Sequence, residues 1–250
     1  MQLLISVAGP AEARAALRGG ADVIDAKDPR RGALGPVSVQ RLAAIRAAVA
    51  GAVAAALSVG VAFVKLGLAG VTSEARGARL AGAARRAVET AVATRLVLVA
   101  YADWRSAASL PPARVVAVAA HTGAAGVLLD TATKRVPLFA VESPAAVAAW
   151  VAAAHAAGLF AALAGGLSGP DLARARSLGA DIVGVRGAAC VGGRTGRVSR
   201  ARVAALRALA GAAPSLRVPI GRGVLPQRDV ELAEIVRRDD EVFHAVRERA

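Results

Sequence analysis

Lysine is the conspicuous shortage in this chain. Of 32 lysine and arginine residues in 250, only Lys27, Lys65 and Lys134 are lysines; all the others are arginine. Other shortages exclude whole classes of function. Cys190 is the sole cysteine, so no disulfide framework can form and a reducing compartment fits. His121, His155 and His244 lie far apart and match no metal-ligand spacing. Aromatic residues make up 3% of the chain, too few for a base-stacking platform. The apolar stretch at residues 51–64 is shorter than the roughly 20 residues needed to span a bilayer. The opening MQLLISVAGP lacks a basic segment followed by a long apolar run, so no signal peptide is read. The expectation is a cytoplasmic protein that does not enter a membrane.

What is abundant is alanine and arginine. The hydrophobic fraction of 56% is ample for a large core, and its alanine content predicts small side chains and close packing. A net charge of +14 could serve nucleic acid or another anionic partner. Yet Arg14, Arg18, Arg41, Arg46, Arg76, Arg79, Arg85 and Arg86 are strung along predicted helices, with no basic block. They read as a solvated basic surface with no specific nucleic-acid partner, one whose field would also favour a phosphorylated small substrate.

Short β-like runs alternate with alanine-rich helical stretches. Strands are predicted at 3–7, 22–27, 63–68, 95–103, 126–132, 159–168 and 181–189. Helices are predicted at 10–18, 38–50, 73–93, 112–123, 143–157, 169–177 and 199–210. This succession predicts an α/β fold with a parallel sheet, and its number of units favours a (β/α)8 TIM barrel over an open sheet. No glycine-rich dinucleotide fingerprint follows the first strand.

The pattern falters at GAVAAALSVGVAFVKLGL (51–68). ALSVG could be a third strand, but it would run almost directly into FVKLGL, and parallel neighbours need a crossover of about a dozen residues. One element is therefore missing or rearranged around 51–62: either the strand or the helix that should follow it. The barrel domain is expected over 1–210. Beyond it, 213–229 reads as a Pro/Gly/Arg-rich connector and 230–249 as a charged terminal helix. That helix would cover the barrel exterior or a partner subunit, leaving a homo-oligomer open.

Barrel enzymes place their chemistry at the C-terminal ends of the strands. All three lysines fall there. Asp25 and Lys27 end the second strand, two residues apart and so on one face. Lys65 lies in FVKLG, Asp130 ends VLLD, and Lys134 follows four residues later. Arginine stays protonated, whereas a lysine amine can lose its proton, attack a carbonyl and form a Schiff base. Its pKa must fall by roughly three units for that, about 4 kcal/mol, and burial and neighbouring cations both push that way. Asp25 and Asp130 could shuttle protons or hold an ammonium. The set suits carbon–carbon chemistry on an aldehyde or ketone.

Barrels often hold phosphate in the loops after the last two strands. Here these are AGGLS and VRGAACVGG. Gly165, Gly166 and Gly187 would let backbone N–H groups approach an anion, with Ser168 and Arg186 as side-chain donors.

The segments LLISV, GGADVIDAKDPRRGALG, FVKLGLAGV, VAYAD, LLDTATK, ALAGGL and ADIVGVRGAACVGGRTGRVS, in this order, resemble the (5-formylfuran-3-yl)methyl phosphate synthase family, barrel lyases of methanofuran biosynthesis. The resemblance spans roughly residues 1–210. It implies condensation of two glyceraldehyde 3-phosphate molecules to a furan aldehyde phosphate with loss of phosphate and water, and no metal or organic cofactor. It puts the Schiff-base lysine on Lys27 and the proton-accepting lysine on Lys65. The remaining acid and base positions fall on Asp25, Asp130 and Lys134. The family continues after a segment like ALSVG with a further loop and helix that this chain lacks, so at Gly60-Val61 the resemblance favours a missing helix. Rival readings of the same residues are another Schiff-base aldolase on phosphosugars, or a non-catalytic phosphate- or nucleic-acid-binding protein.

Overall fold

The computed structural model describes residues 1–50, 62–89, 94–211 and 231–236. Its elements follow in chain order. β1 (Gln2–Val7), α1 (Pro10–Arg18), β2 (Val23–Ala26), a 3-10 turn (Pro29–Arg31) and α2 (Val39–Ala50) precede β3 (Phe63–Gly67) and α3 (Glu74–Glu89). Next come β4 (Arg95–Tyr101), α4 (Pro112–His121), β5 (Gly126–Asp130), the short α5 (Leu138–Val141), α6 (Pro144–Ala156), β6 (Phe160–Leu163), α7 (Gly169–Ser177) and β7 (Ile182–Val185). A second 3-10 turn (Gly187–Ala189), β8 (Cys190–Val191), β9 (Arg197–Val198), α8 (Arg200–Ala210) and β10 (Glu231–Val236) complete the series.

Local chemistry accounts for the helix boundaries. α1, α4, α6 and α7 each open with proline at the first or second position, where a missing N–H costs nothing. Ser143 Oγ accepts from the Ala146 N–H at the start of α6. Gly20, at φ +92°, takes the left-handed conformation that turns the chain out of α1 towards β2.

Eight strands close into a barrel in the order β1-β2-β10-β3-β4-β5-β6-β7, each pairing parallel with its neighbours. The expected (β/α)8 class is correct. Side chains alternate between two cores, as the strand period of two requires. On β1, Leu3, Ile5 and Val7 point outward into the layer shared with the helices, while Leu4 points into the barrel. The barrel interior is a smaller cluster that includes Leu4, Val23, Phe63, Val97, Val99, Leu128, Phe160 and Ile182. Phe63 and Phe160 meet edge to face with centroids 5.3 Å apart, so two of the chain's four phenylalanines form one contact inside the barrel.

The irregularity expected near 51–62 takes a specific form. The place between β2 and β3 is filled by β10, from the far end of the chain. Ala233 stands in register with Asp25 on one side and with Phe63 on the other. Residues 51–61, including ALSVG, lie outside the described residues. The expected helix over 230–249 must be corrected for 231–236, which form this strand; 237–249 and the connector 213–229 lie outside the described residues. Glutamate and alanine in ELAEIV suggest helix, but pairing on both edges outweighs that propensity, and strand preference depends strongly on such context. The barrel is thus not closed by residues 1–210 alone.

Smaller adjustments concern element ends. β6 stops at Leu163 and β7 at Val185, earlier than expected, because the glycine-rich segments that follow are loops at the barrel mouth. Within the second of them, β8 and β9 form an antiparallel hairpin.

Candidate active site

All five lysine and aspartate positions line one cavity of about 370 Å³ at the C-terminal ends of the strands. So do Gly165, Gly166, Ser168, Arg186 and Gly187. Barrel closure brings together residues from both ends of the sequence.

Asp25 on β2 receives two hydrogen bonds. Lys65 Nζ donates to its Oδ1 at 2.6 Å, and Ser6 Oγ donates to its Oδ2 at 2.7 Å. All three residues are buried, so the Lys65–Asp25 ion pair sits where water screens it little. A second ion pair joins Lys134 Nζ to Asp130 Oδ1 at 2.6 Å. Lys134 also donates to the Thr131 carbonyl, and the Thr131 N–H donates to Asp130 Oδ1 at 2.8 Å. Burial alone would raise the Asp130 pKa, but the charges of Lys134 and Lys27 and these hydrogen bonds hold it below the ordinary carboxylate value.

Lys27 differs from the other two lysines. It is 8% exposed, its backbone N–H donates to the Val7 carbonyl, and its amine has no hydrogen-bond or ion-pair partner among the described residues. Its pKa is pushed down to about 8, chiefly by burial and further by the Lys134 and Lys65 charges, while Asp130 and Asp25 pull the other way. At pH 7 about a tenth of such amines are unprotonated, against a few in ten thousand at the ordinary lysine pKa. The site therefore contains two lysine–aspartate ion pairs and one lysine amine without such a partner among the described residues.

The proposed phosphate loops divide into backbone and side-chain contributions. Gly165 and Gly166 have φ of +99° and +66°, and their N–H groups donate to no protein acceptor among the described residues. They remain available to an anion. The Ser168 hydroxyl and N–H both donate to Asp171 at the start of α7. Arg186 is buried, and its five donors are all taken up inside the protein. Nε donates to the Arg194 carbonyl, Nη1 to the Ser6 carbonyl and Glu12, and Nη2 to Glu12 and the Gly196 carbonyl. Both side chains line the cavity, but their donors are spent on holding its loops in shape.

Three residues escaped the sequence reading. Ser6 is the hydroxyl partner of Asp25; it interrupts the otherwise apolar run LLISV, and that interruption was its signal. Asp103, ending the VAYAD segment, accepts from the Ala132 and Thr133 N–H groups at 2.7 and 2.8 Å and so fixes the loop that carries Lys134. Arg194 lines the cavity from the β8–β9 hairpin, and nothing in its Gly-Gly-Arg setting marked it. Among the described residues no cluster of His, Cys, Asp and Glu is arranged to hold a metal ion, and no helix is long and apolar enough to cross a membrane.

Comparison with known proteins gives concordant results. The family model for 4-HFC-P synthase matches residues 3–60 and 48–207. The two matches overlap at 48–60. The (5-formylfuran-3-yl)methyl phosphate synthase of Methanopyrus kandleri is 38% identical over 218 residues, covering 78% of this chain and 92% of that protein. The synthase of the same name from Methanocaldococcus jannaschii is 36% identical over 234 residues, covering 84% of this chain and 99% of that one. Among solved structures, 3-hexulose-6-phosphate synthase superposes with a TM-score of 0.52 at 16% identity, covering 84% of this chain and 99% of the other, a likeness of fold. The chain belongs to the 4-HFC-P synthase family.

Proposed function

We propose that this chain is a Schiff-base lyase that condenses two molecules of glyceraldehyde 3-phosphate into (5-formylfuran-3-yl)methyl phosphate, in methanofuran-type cofactor biosynthesis. The observation that carries the chemistry is the unpaired Lys27 amine, with its lowered pKa, between two lysine–aspartate pairs. The names of the M. kandleri and M. jannaschii relatives supply the product.

In this reading the Lys27 amine attacks the aldehyde of one triose phosphate, and loss of water leaves an iminium. The iminium draws electrons from the neighbouring carbon, so a base can remove its proton to give an enamine. Lys65–Asp25 and Lys134–Asp130 flank the amine and serve as the proton-moving groups, with Lys65 as acceptor once Asp25 has taken its ammonium proton. The enamine carbon attacks the second aldehyde, and hydrolysis of the imine later returns the Lys27 amine. Across the full sequence two three-carbon aldehydes give the six carbons of the product. One phosphate and two waters leave, and no net oxidation occurs. The Gly165 and Gly166 N–H groups cradle a phosphate, and the loops at Ser168 and at Arg186–Gly187 shape its surroundings.

Incubation with glyceraldehyde 3-phosphate followed by mass spectrometry tests the overall reaction. A phosphorylated furan aldehyde appearing with an equimolar amount of inorganic phosphate is expected. A non-aromatic phosphosugar as the sole product would instead identify a different Schiff-base aldolase.

A further inference from the structure

The condensation proposed above brings two phosphate groups to one cavity, and the glycine loop after β6 offers a cradle for one. Arg186, the other cationic candidate, has no donor left. We propose that Arg194 contacts the phosphate of a substrate molecule and determines the preference for phosphorylated over free aldehydes. This proposal deepens the Schiff-base reading and rests on it for the identity of the substrate.

The geometry supports it in three ways. Arg194 lies on the wall of the same cavity as Lys27, and a Cβ built on Gly187 would come within 4.0 Å of the Arg194 Cα, which places Arg194 beside the loop after β7. Its guanidinium reaches across the mouth to the loop immediately after Lys27. Nη1 donates to the Pro29 carbonyl, and Nη2 donates to the Gly32 carbonyl at 2.7 Å. These bonds use two of five donors; the other three N–H groups have no partner among the described residues. Arg194 is only partly buried, so a ligand entering the mouth can reach it.

The two arginines therefore divide the work. Arg186 is anchored on Glu12 and the Ser6 carbonyl, and it holds the Arg194 and Gly196 carbonyls, fixing the backbone from which Arg194 projects. Arg194 then presents a planar, permanently charged fork at the mouth, a shape that suits two oxygens of a phosphate monoester. A phosphate held here would keep the triose chain short of the solvent and direct its aldehyde towards the strand ends.

A borohydride-trapping comparison tests this directly. The concentrations of glyceraldehyde 3-phosphate and of unphosphorylated glyceraldehyde that half-saturate labelling of Lys27 are measured for the parent chain, Arg194→Gln and Arg194→Lys. Arg194→Gln is expected to lower the preference for the phosphorylated aldehyde at least tenfold, with glyceraldehyde labelling within about twofold of the parent. Arg194→Lys should recover part of the preference, because it keeps the charge but loses the fork. An unchanged preference overturns the proposal. So does an equal loss for both aldehydes, which would reduce Arg194 to a latch between loops. If the parent labels with neither aldehyde, the Schiff-base reading fails, and calorimetric titration with inorganic phosphate decides on Arg194 alone. Binding weakened at least fivefold in Arg194→Gln then upholds the contact; equal affinity refutes it.

Discussion

Lys65 Nζ donates to Asp25 Oδ1 at 2.6 Å across a strand to which neither residue belongs. Asp25 sits on β2 opposite Ala233 of β10, and Lys65 sits on β3 opposite Ile235 of the same strand. Although the chain is short between α2 and β3, the width of one strand is preserved and the two catalytic candidates meet. The spacing within the site thus depends on residues 231–236, more than 160 positions away in sequence from Lys65.

Removing residues 212–250 should therefore damage both fold and site. β2 and β3 would lose their common partner and expose two unpaired strand edges. With a net of roughly 1 kcal/mol per backbone hydrogen bond, the loss is on the order of 5 kcal/mol. Thermal melting followed by circular dichroism should show a much lower or non-cooperative transition. An unchanged melt would mean that β10 contributes little to closure.

Lys27→Met should make the protein more stable at neutral pH while removing activity. The folded chain holds the Lys27 pKa near 8, below its ordinary 10.5. A protonated Lys27 is thus penalised on folding, and stability is lowest below pH 8 and rises as pH climbs from there towards 10.5. Replacing the ammonium with an apolar chain relieves a penalty of about 3 kcal/mol below pH 8, and this benefit fades towards pH 10.5. Melting temperatures of the two chains at pH 7 and pH 10 provide the check; a Lys27→Met chain that is less stable at pH 7 contradicts the burial of an unpaired amine.

Changes to the flanking pairs should move the pH dependence of imine formation in opposite directions. The Asp25 carboxylate raises the Lys27 pKa, so Asp25→Asn should shift the rising limb of the profile to lower pH. Lys134 lowers it, so Lys134→Met should shift that limb higher. Asp25→Asn also leaves the buried Lys65 ammonium without a counter-charge, a loss of roughly 3–5 kcal/mol in stability. Turnover in both variants should fall by about 10²–10⁴ if the pairs move protons. Shifts of the same sign in both would refute the electrostatic assignment.

Gly126→Ala probes the lower barrel. A Cβ at Gly126 would lie 2.6 Å from the Phe160 ring, which packs on Phe63. The ring must move or the strand must shift, and overpacking of this kind costs about 1–3 kcal/mol. Urea unfolding should report that loss, with the imine chemistry of Lys27 largely retained.

Much of this was legible from the residue pattern, and what was missed has physical reasons. Lys27, Lys65 and Asp130 stood out because strand ends are fixed by the alternation of short β runs and helices, and because lysine is rare here. The role of β10 was hidden because ELAEIV has no strand signature of its own and gains its conformation from two distant partners. Ser168 and Arg186 line the cavity, but sequence order could not show that Asp171, Glu12 and backbone carbonyls consume their donors. Arg194 was the reverse case, an unremarkable arginine in a hairpin whose reach across the mouth exists only after folding.

Trapping with borohydride in the presence of glyceraldehyde 3-phosphate, followed by peptide mapping, tests the central chemistry most directly. A Schiff base at Lys27 should appear as a reduced substrate adduct on that residue, with labelling that rises as pH increases through about 8. Folded protein that remains unmodified, or that carries the adduct on Lys65 or Lys134 with Lys27 untouched, would contradict it.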